Sequence, residues 1–247
     1  MMNEKVFNGK NCFISGASGS IGECFAERFA KEGCNLFLTG TSDTKLKKLK
    51  DRVTSSAPGE IKVFYAPGDF ENTGEIHRIL DLARNLMGDT DILINCIGIT
   101  QFEPFLDTTT EDFDKMFNLN VRAPYILCRE LSRAMVRNKW GRIVNIGSTT
   151  AYNSISIAPL YSASKHGILG LTRAMYQDLN KYNVRVFFVS PGPVKSEMAK
   201  VVVSKFNENW DSFIDPVEIA DYVAHAIKFD ENMISEEIRM NRLQERF

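Results

Sequence analysis

The sequence predicts an α/β fold, a doubly wound parallel sheet with helices on both faces. Three observations carry this. Short apolar runs recur at residues 11–14, 36–38, 63–65, 92–94, 143–146 and 184–189. They are continuous, the pattern of strands buried on both faces. Longer amphipathic stretches separate them, and such strand–helix alternation makes the strands parallel with helical crossovers.

The elements follow in order. Asn11-Cys12-Phe13-Ile14 leads through a glycine-rich turn into a helix over 21–32, where Ala26, Phe29 and Ala30 share one face. Leu36-Phe37-Leu38 precedes a helix over 43–55, which Ser55-Ser56-Ala57-Pro58-Gly59 stops. Val63-Phe64-Tyr65 precedes a helix over 73–87, and Ile92-Leu93-Ile94 one over 111–138. Ile143-Val144-Asn145-Ile146 precedes a helix over 160–182, and Val184 to Val189 follows it. Residues 196–213 break the alternation and are expected to form a mobile loop or lid, or a surface connection with a little helix. A short last strand is expected at 238–240. With no linker or repeat in between, one domain over 1–247 is expected.

Composition narrows the function. The 247 residues carry 30 Lys+Arg against 31 Asp+Glu, a formal net charge of −1, with 44% hydrophobic residues. Intrinsic disorder is excluded. The charge balance offers no whole-chain argument for nucleic acid or an acidic membrane. The basic stretch Lys45 to Lys50 reads as a solvated helix face. No apolar run reaches the length of a membrane span, and the polar start, Met1 to Lys10, lacks a signal-peptide core. Five scattered cysteines and three histidines, with no CxxC pair, argue against a disulfide framework or a metal site. A reducing, cytoplasmic setting is expected.

Three motifs carry chemistry. Ser15-Gly16-Ala17-Ser18-Gly19-Ser20-Ile21-Gly22 lies between the first strand and the first helix. Small residues there let backbone approach a phosphate, which the helix N-terminus attracts. After the second strand stands Thr39-Gly40-Thr41-Ser42, with no carboxylate before Asp43. An acid there would mark NAD. Thr41 and Ser42 hydroxyls, with Lys45, can instead hold a 2′-phosphate, so NADP is favoured and NAD(H) stays open. Thr41 and Ser42 can also cap the following helix. The third motif is Tyr161-Ser162-Ala163-Ser164-Lys165. Residues four apart share a helix face, so Lys165 is expected beside Tyr161, lowering its pKa and fitting it for acid/base work. Ser148, at the end of the fifth strand, is placed to donate to a substrate carbonyl.

With these residues in place, the sequence resembles the short-chain dehydrogenases/reductases from about Gly9 to Phe229. Five motifs stand in that family's order. They are the Gly16–Gly22 turn, Asn95-Cys96-Ile97-Gly98, Asn120, Ser148 with Tyr161 and Lys165, and Pro191-Gly192-Pro193-Val194. The resemblance implies a Rossmann-type sheet of about seven strands, in the order 3-2-1-4-5-6-7. It implies Tyr161 as general acid in reduction and Ser148 as the group that polarises the carbonyl. Lys165 would hold the nicotinamide ribose and depress the tyrosine pKa. Asn120 would hold a water of a proton relay. The cofactor contacts implied are Gly16, Ser18, Gly19, Ser20, Ile21 and Gly22 at the phosphates, and Asp69 with Phe70 at the adenine. Asn95 and Gly98 would line the adenosine side. Tyr161, Lys165, Pro191, Gly192, Val194 and Ser196 would stand at the nicotinamide end. A homotetramer is implied too, or a homodimer, paired through the helices over 111–138 and 160–182.

The closest flavour is the 3-oxoacyl-[acyl-carrier-protein] reductase branch, through Gly141-Arg142-Ile143-Val144-Asn145-Ile146-Gly147-Ser148. The ending departs from it, since no glycine follows Gly192. A 3-oxoacyl thioester is therefore the first substrate, small or carrier-linked, and a sugar, polyol or sugar-nucleotide the second. A non-catalytic dinucleotide sensor is the competing class. Against it stand Asn120, Ser148, Tyr161 and Lys165 together. Cys96 reads as a buried gap-filler and His166 as an outward neighbour of Lys165. Gln101, Phe102 and Phe105 are expected near the substrate, and Met198 and Trp210 beside the lid.

Overall fold

A computed structural model describes residues 6–243. Seven parallel strands run in the order β3-β2-β1-β4-β5-β6-β7, as expected. They are β1 (Asn11–Ser15), β2 (Asn35–Gly40), β3 (Val63–Pro67), β4 (Ile92–Asn95), β5 (Gly141–Ile146), β6 (Val184–Pro191) and β7 (Glu237–Met240). The chain reverses its direction of travel across the sheet between β1 and β4. That switch opens a crevice at the carboxyl ends of the strands.

Alternate strand residues feed two core layers. Cys12, Ile14, Leu36, Leu38, Ile92, Ile94 and Val144 enter one layer, with Phe25 and Phe29 of α1 (Ser20–Lys31). Leu46, Leu49 and Val53 of α2 (Asp43–Ser56) join that layer. Phe13, Phe37, Leu93 and Ile143 enter the other, against Ile76, Ile79 and Leu80 of α3 (Thr73–Met87). Phe13 and Phe37 stack across β1 and β2 at 5.3 Å between ring centroids. Every residue of β5 is buried, so the continuous apolar runs do mark two-sided burial. Arg142 and Asn145 are the polar exceptions, and Arg142 is the charged one. Its guanidinium bonds Ile227 O at 3.0 Å and Gly141 O at 2.9 Å, pairs with Asp230, and lies over Trp140.

One stretch differs from the sequence expectation. The single helix expected over 111–138 is two helices, α4 (Thr110–Phe117) and α5 (Ala123–Arg137), joined by a π-turn at Asn118–Arg122. Pro124 supplies the reason, because it has no N–H to continue an α-helical ladder. A π-turn absorbs the mismatch, as such turns do at functional sites. The stretch over 196–213, expected as a mobile loop or lid or as a surface connection with a little helix, carries a ten-residue helix, α7 (Glu197–Phe206), capped by the Ser196 hydroxyl, which accepts from Ala199 N at 3.2 Å. A short 3-10 turn follows at Trp210–Ser212, then α8 (Pro216–Ala226) packs on α1. The helix between β5 and β6, α6 (Pro159–Leu179), ends in a 3-10 turn at Asn180–Tyr182.

Candidate active site

The glycine turn comes first. Gly16 has φ +67°, a left-handed conformation that favours glycine, and an added Cβ would lie 2.8 Å from the Cys96 carbonyl. A Cβ on Gly22 would lie 2.3 Å from Gly16 O. These contacts press the turn against β4 and the start of α1. The N-cap of α1 is Gly19, which has no side chain to bond the first-turn N–H groups. Those donors, at Ser20 and Ile21, are left for an anion. Ser18 stands against Gly40 at the end of β2, where an added Cβ would meet its hydroxyl at 2.6 Å.

Thr41 is exposed beyond β2, and Ser42 caps α2, accepting from Lys45 N at 3.4 Å. Asp69 accepts from Glu71 N at 2.9 Å, which shapes the turn after β3. Phe70 is 3% exposed, and its side chain packs in the core. Asn95 is likewise committed inward. Its Oδ1 accepts from Ser15 Oγ at 3.0 Å and its Nδ2 donates to Asn145 Oδ1 at 2.8 Å. Asn145 continues to Thr172 on α6 at 3.0 Å. This buried relay ties the glycine turn, β4, β5 and α6 into one unit.

The π-turn delivers Asn120. Its Oδ1 accepts from Ile99 N at 2.8 Å, and its Nδ2 donates to Ile99 O at 3.0 Å and Ser164 Oγ at 2.9 Å. Ser164 in turn donates to Tyr161 O at 2.8 Å. A Cβ on Gly98 would lie 3.4 Å from Asn120 Oδ1 and 3.5 Å from Lys165 Nζ, so the three positions converge. Ser148 accepts from Thr150 N at 3.2 Å and donates to Thr150 Oγ1 at 3.1 Å. The sequence reading did not single out Thr150 or Ser164. Both are short hydroxyl residues beside named ones, and nothing in their spacing distinguishes them.

Lys165 reaches Tyr161 as the four-residue spacing predicts, with Nζ 5.5 Å from the ring centroid. The electrostatics differ from the expectation. Burial pushes the Tyr161 phenol up, and the Ser148 hydroxyl draws it partly back. Burial also pulls Lys165 down to about 8. Desolvation is the largest cause for both groups. Lys165 is 5% exposed, and its one hydrogen bond goes to Ile146 O at 3.3 Å. An ammonium has three donors, and the others face the cavity that it lines. Thr100 Oγ1, on the same cavity, is buried without a partner. These orphaned polar atoms and the uncapped helix fit a bound dinucleotide.

The cavity holds about 500 Å³. Gly98, Ser148, Tyr161, Lys165, Pro191, Gly192, Val194 and Ser196 line its inner part. Ile99, Phe102, Ile155, Ile157, Met198, Val202, Phe206 and Phe213 line the rest, with Glu208 the acidic residue among them. Phe102 and Met198 thus stand where the sequence placed them. Trp210 instead packs on Phe213, at 5.9 Å, outside the cavity lining. Cys96 also lines the cavity, and burial pushes its thiol far up. His166 is exposed, with Nδ1 2.9 Å from Ser162 O. Among the described residues no group of three His, Cys, Asp or Glu could hold a metal ion, and no helix is long and apolar enough to cross a membrane.

Known proteins share this architecture. A 3-oxoacyl-[acyl-carrier-protein] reductase FabG of Rickettsia felis is 31% identical over 227 residues, 90% of this chain and 88% of that one. A solved 3-oxoacyl (acyl-carrier-protein) reductase from Agrobacterium tumefaciens, with NADP bound, superposes with TM-score 0.86 at 21% identity, over 98% of this chain and 97% of that one. An L-sorbose reductase from Gluconobacter frateurii, complexed with NADPH and L-sorbose, gives TM-score 0.86 at 21% identity over 96% of both chains. The two solved structures show the fold alone. The family model described as short chain dehydrogenase matches residues 10–207, and with that match the chain belongs to the short-chain dehydrogenase family, as an oxidoreductase.

Proposed function

We propose that this oxidoreductase is an NADP(H)-dependent carbonyl reductase acting on a 3-oxoacyl thioester. The observation that carries it is the meeting of Ser148, Tyr161 and Lys165 in a cavity whose other walls are mostly apolar, with Glu208, Thr100, Thr149 and Thr150 among the polar exceptions. An apolar wall suits an acyl chain and offers few partners to a sugar's hydroxyls. The curated relative named above carries the same activity in its name.

When bound, the nicotinamide supplies hydride to the carbonyl carbon. The chain's own residues do the rest. Ser148 turns its hydroxyl from Thr150 toward the substrate oxygen and holds it. Tyr161 gives that oxygen its proton, for which the raised phenol pKa keeps the proton in place at neutral pH. Lys165, charged, stabilises the phenolate left behind and donates to the nicotinamide ribose. The Asn120 side chain is spent on Ile99 and Ser164, so a relay water sits on its main-chain carbonyl. The first-turn N–H groups of α1 take the phosphates, while Thr41, Ser42 and Lys45 take the 2′-phosphate. The test is cofactor oxidation with an acetoacetyl thioester, run with NADPH and with NADH. NADPH-selective turnover is expected. Binding of either cofactor without turnover on thioesters or sugars would leave a dinucleotide sensor as the function.

The enzyme is cytoplasmic in this reading, with all five thiols free, and acts as a homotetramer. The outer face of α6 carries Ala163, Gly167, Gly170 and Ala174, all exposed, a flat surface on which a second α6 can lie closely. Light scattering is expected to give four chains, and a monomer would remove this part.

A further inference from the structure

α7 forms one wall of the cavity, through Met198, Ala199, Val202 and Phe206. Ala199 is its one buried residue, while Met198 and Phe206 line the cavity at 40% exposure each. Two ties fix its far end. Lys205 Nζ donates to Phe102 O at 2.7 Å, and Phe206 meets Phe102 edge-on at 5.6 Å. The other tie comes from beyond β7. Arg242 Nη1 donates to Glu208 Oε2 at 2.7 Å and to Ser212 Oγ at 3.0 Å. Its guanidinium also lies 5.4 Å from the Phe213 centroid. Glu208 and Phe213 are cavity residues. The Arg242 and Glu208 side chains are 17% and 34% exposed, so water screens the pair only in part. A guanidinium can hold two acceptors and a ring face at once, which a flexible ammonium does less well.

We propose that Arg242 is a positioning residue, a clasp that holds the 208–213 segment and with it the α7 wall closed over the substrate. The clasp joins chain segments far apart in sequence, and it lies in the ending that departs from the 3-oxoacyl reductase pattern. It sets the fraction of molecules whose acyl pocket is formed, and apparent substrate affinity falls as that fraction falls. The substrate side of this inference rests on the reductase reading, whereas the clasp itself does not.

The test uses the full chain and two readouts. Amide hydrogen exchange over 197–213 reports the clasp, and steady-state kinetics with the acetoacetyl thioester report the pocket. Arg242→Gln is expected to speed exchange in that segment and to raise KM by about fivefold, with kcat and cofactor Kd unchanged. The double reversal Arg242→Glu with Glu208→Arg is expected to restore both. Unchanged exchange in Arg242→Gln overturns the proposal. So does a defect that the double reversal leaves in place. If no thioester is turned over, faster exchange rescued by the double reversal still supports the clasp, and only the substrate reading fails.

Discussion

Tyr161→Phe is expected to lower kcat for carbonyl reduction by about 10³-fold, within the range that a positioned general acid contributes. The Tyr161 phenol lines the cavity, and Lys165 Nζ lies 5.5 Å from its ring centroid. Phenylalanine keeps the ring and its packing, so cofactor Kd stays the same. Loss of one hydroxyl costs less than about 1 kcal/mol here, which moves Tm by no more than about 3 °C in a chain of this size. The measurement is single-turnover reduction alongside cofactor titration. A variant that keeps more than a tenth of the wild-type rate would place the acid elsewhere. A variant that fails to bind cofactor would mean that the ring, rather than the proton, is the essential part.

Lys165→Met is expected to abolish turnover and yet stabilise the cofactor-free protein at pH 7. Burial disfavours the ammonium, so the folded pKa of about 8 lies below the ordinary 10.5. Between those values the unfolded chain binds more protons, and stability rises with pH across the window. Below about pH 8 both states are protonated and the folded protein bears the full cost, about 3 kcal/mol. Methionine removes that cost and loses one hydrogen bond, to Ile146 O, worth about 1 kcal/mol. The net gain is therefore about 2 kcal/mol at pH 7, falling to zero at about pH 10 and becoming a loss of about 1 kcal/mol well above pH 10.5. Thermal melts of both proteins from pH 6 to 11 measure it, and a variant less stable at pH 7 would refute it. Activity carries the same signature. Since kcat/KM reports the free enzyme's groups, wild-type reduction is expected to lose one essential proton as pH rises through about 8.

Much of this was legible in the sequence, and the reasons are local. The helix over Thr73–Met87 was placed to the residue, because Asn72 caps its start, accepting from Gly74 N and Glu75 N, and Gly88 ends it at φ +84°. Lys165 meets Tyr161 because four residues make about one helical turn. The parallel sheet follows from continuous apolar runs, which only two-sided burial accommodates. The π-turn was not expected, although Pro124 stands in the sequence as its local cause; only the fold shows what it delivers, Asn120 bonded to Ile99 and Ser164. α7 fits one of the two readings of its stretch, a surface connection with a little helix.

What the sequence alone determined is the fold class, the tight turn between β1 and α1, and the approach of Lys165 to Tyr161. Each rests on periodicity or short spacing, which backbone geometry converts directly into position. What tertiary structure decided is everything that depends on distant groups meeting. Asn95 was expected at the cofactor and turns inward because Asn145 and Ser15 satisfy it there. Tyr161 was expected to be more acidic and is less so, because solvent exclusion is a property of the assembled cavity and not of the neighbouring lysine. Arg242 finds Glu208 across a connection that no local pattern encodes. Local geometry follows from covalent spacing, whereas burial, and the pKa values and pairings that burial sets, exist only once the layers have packed.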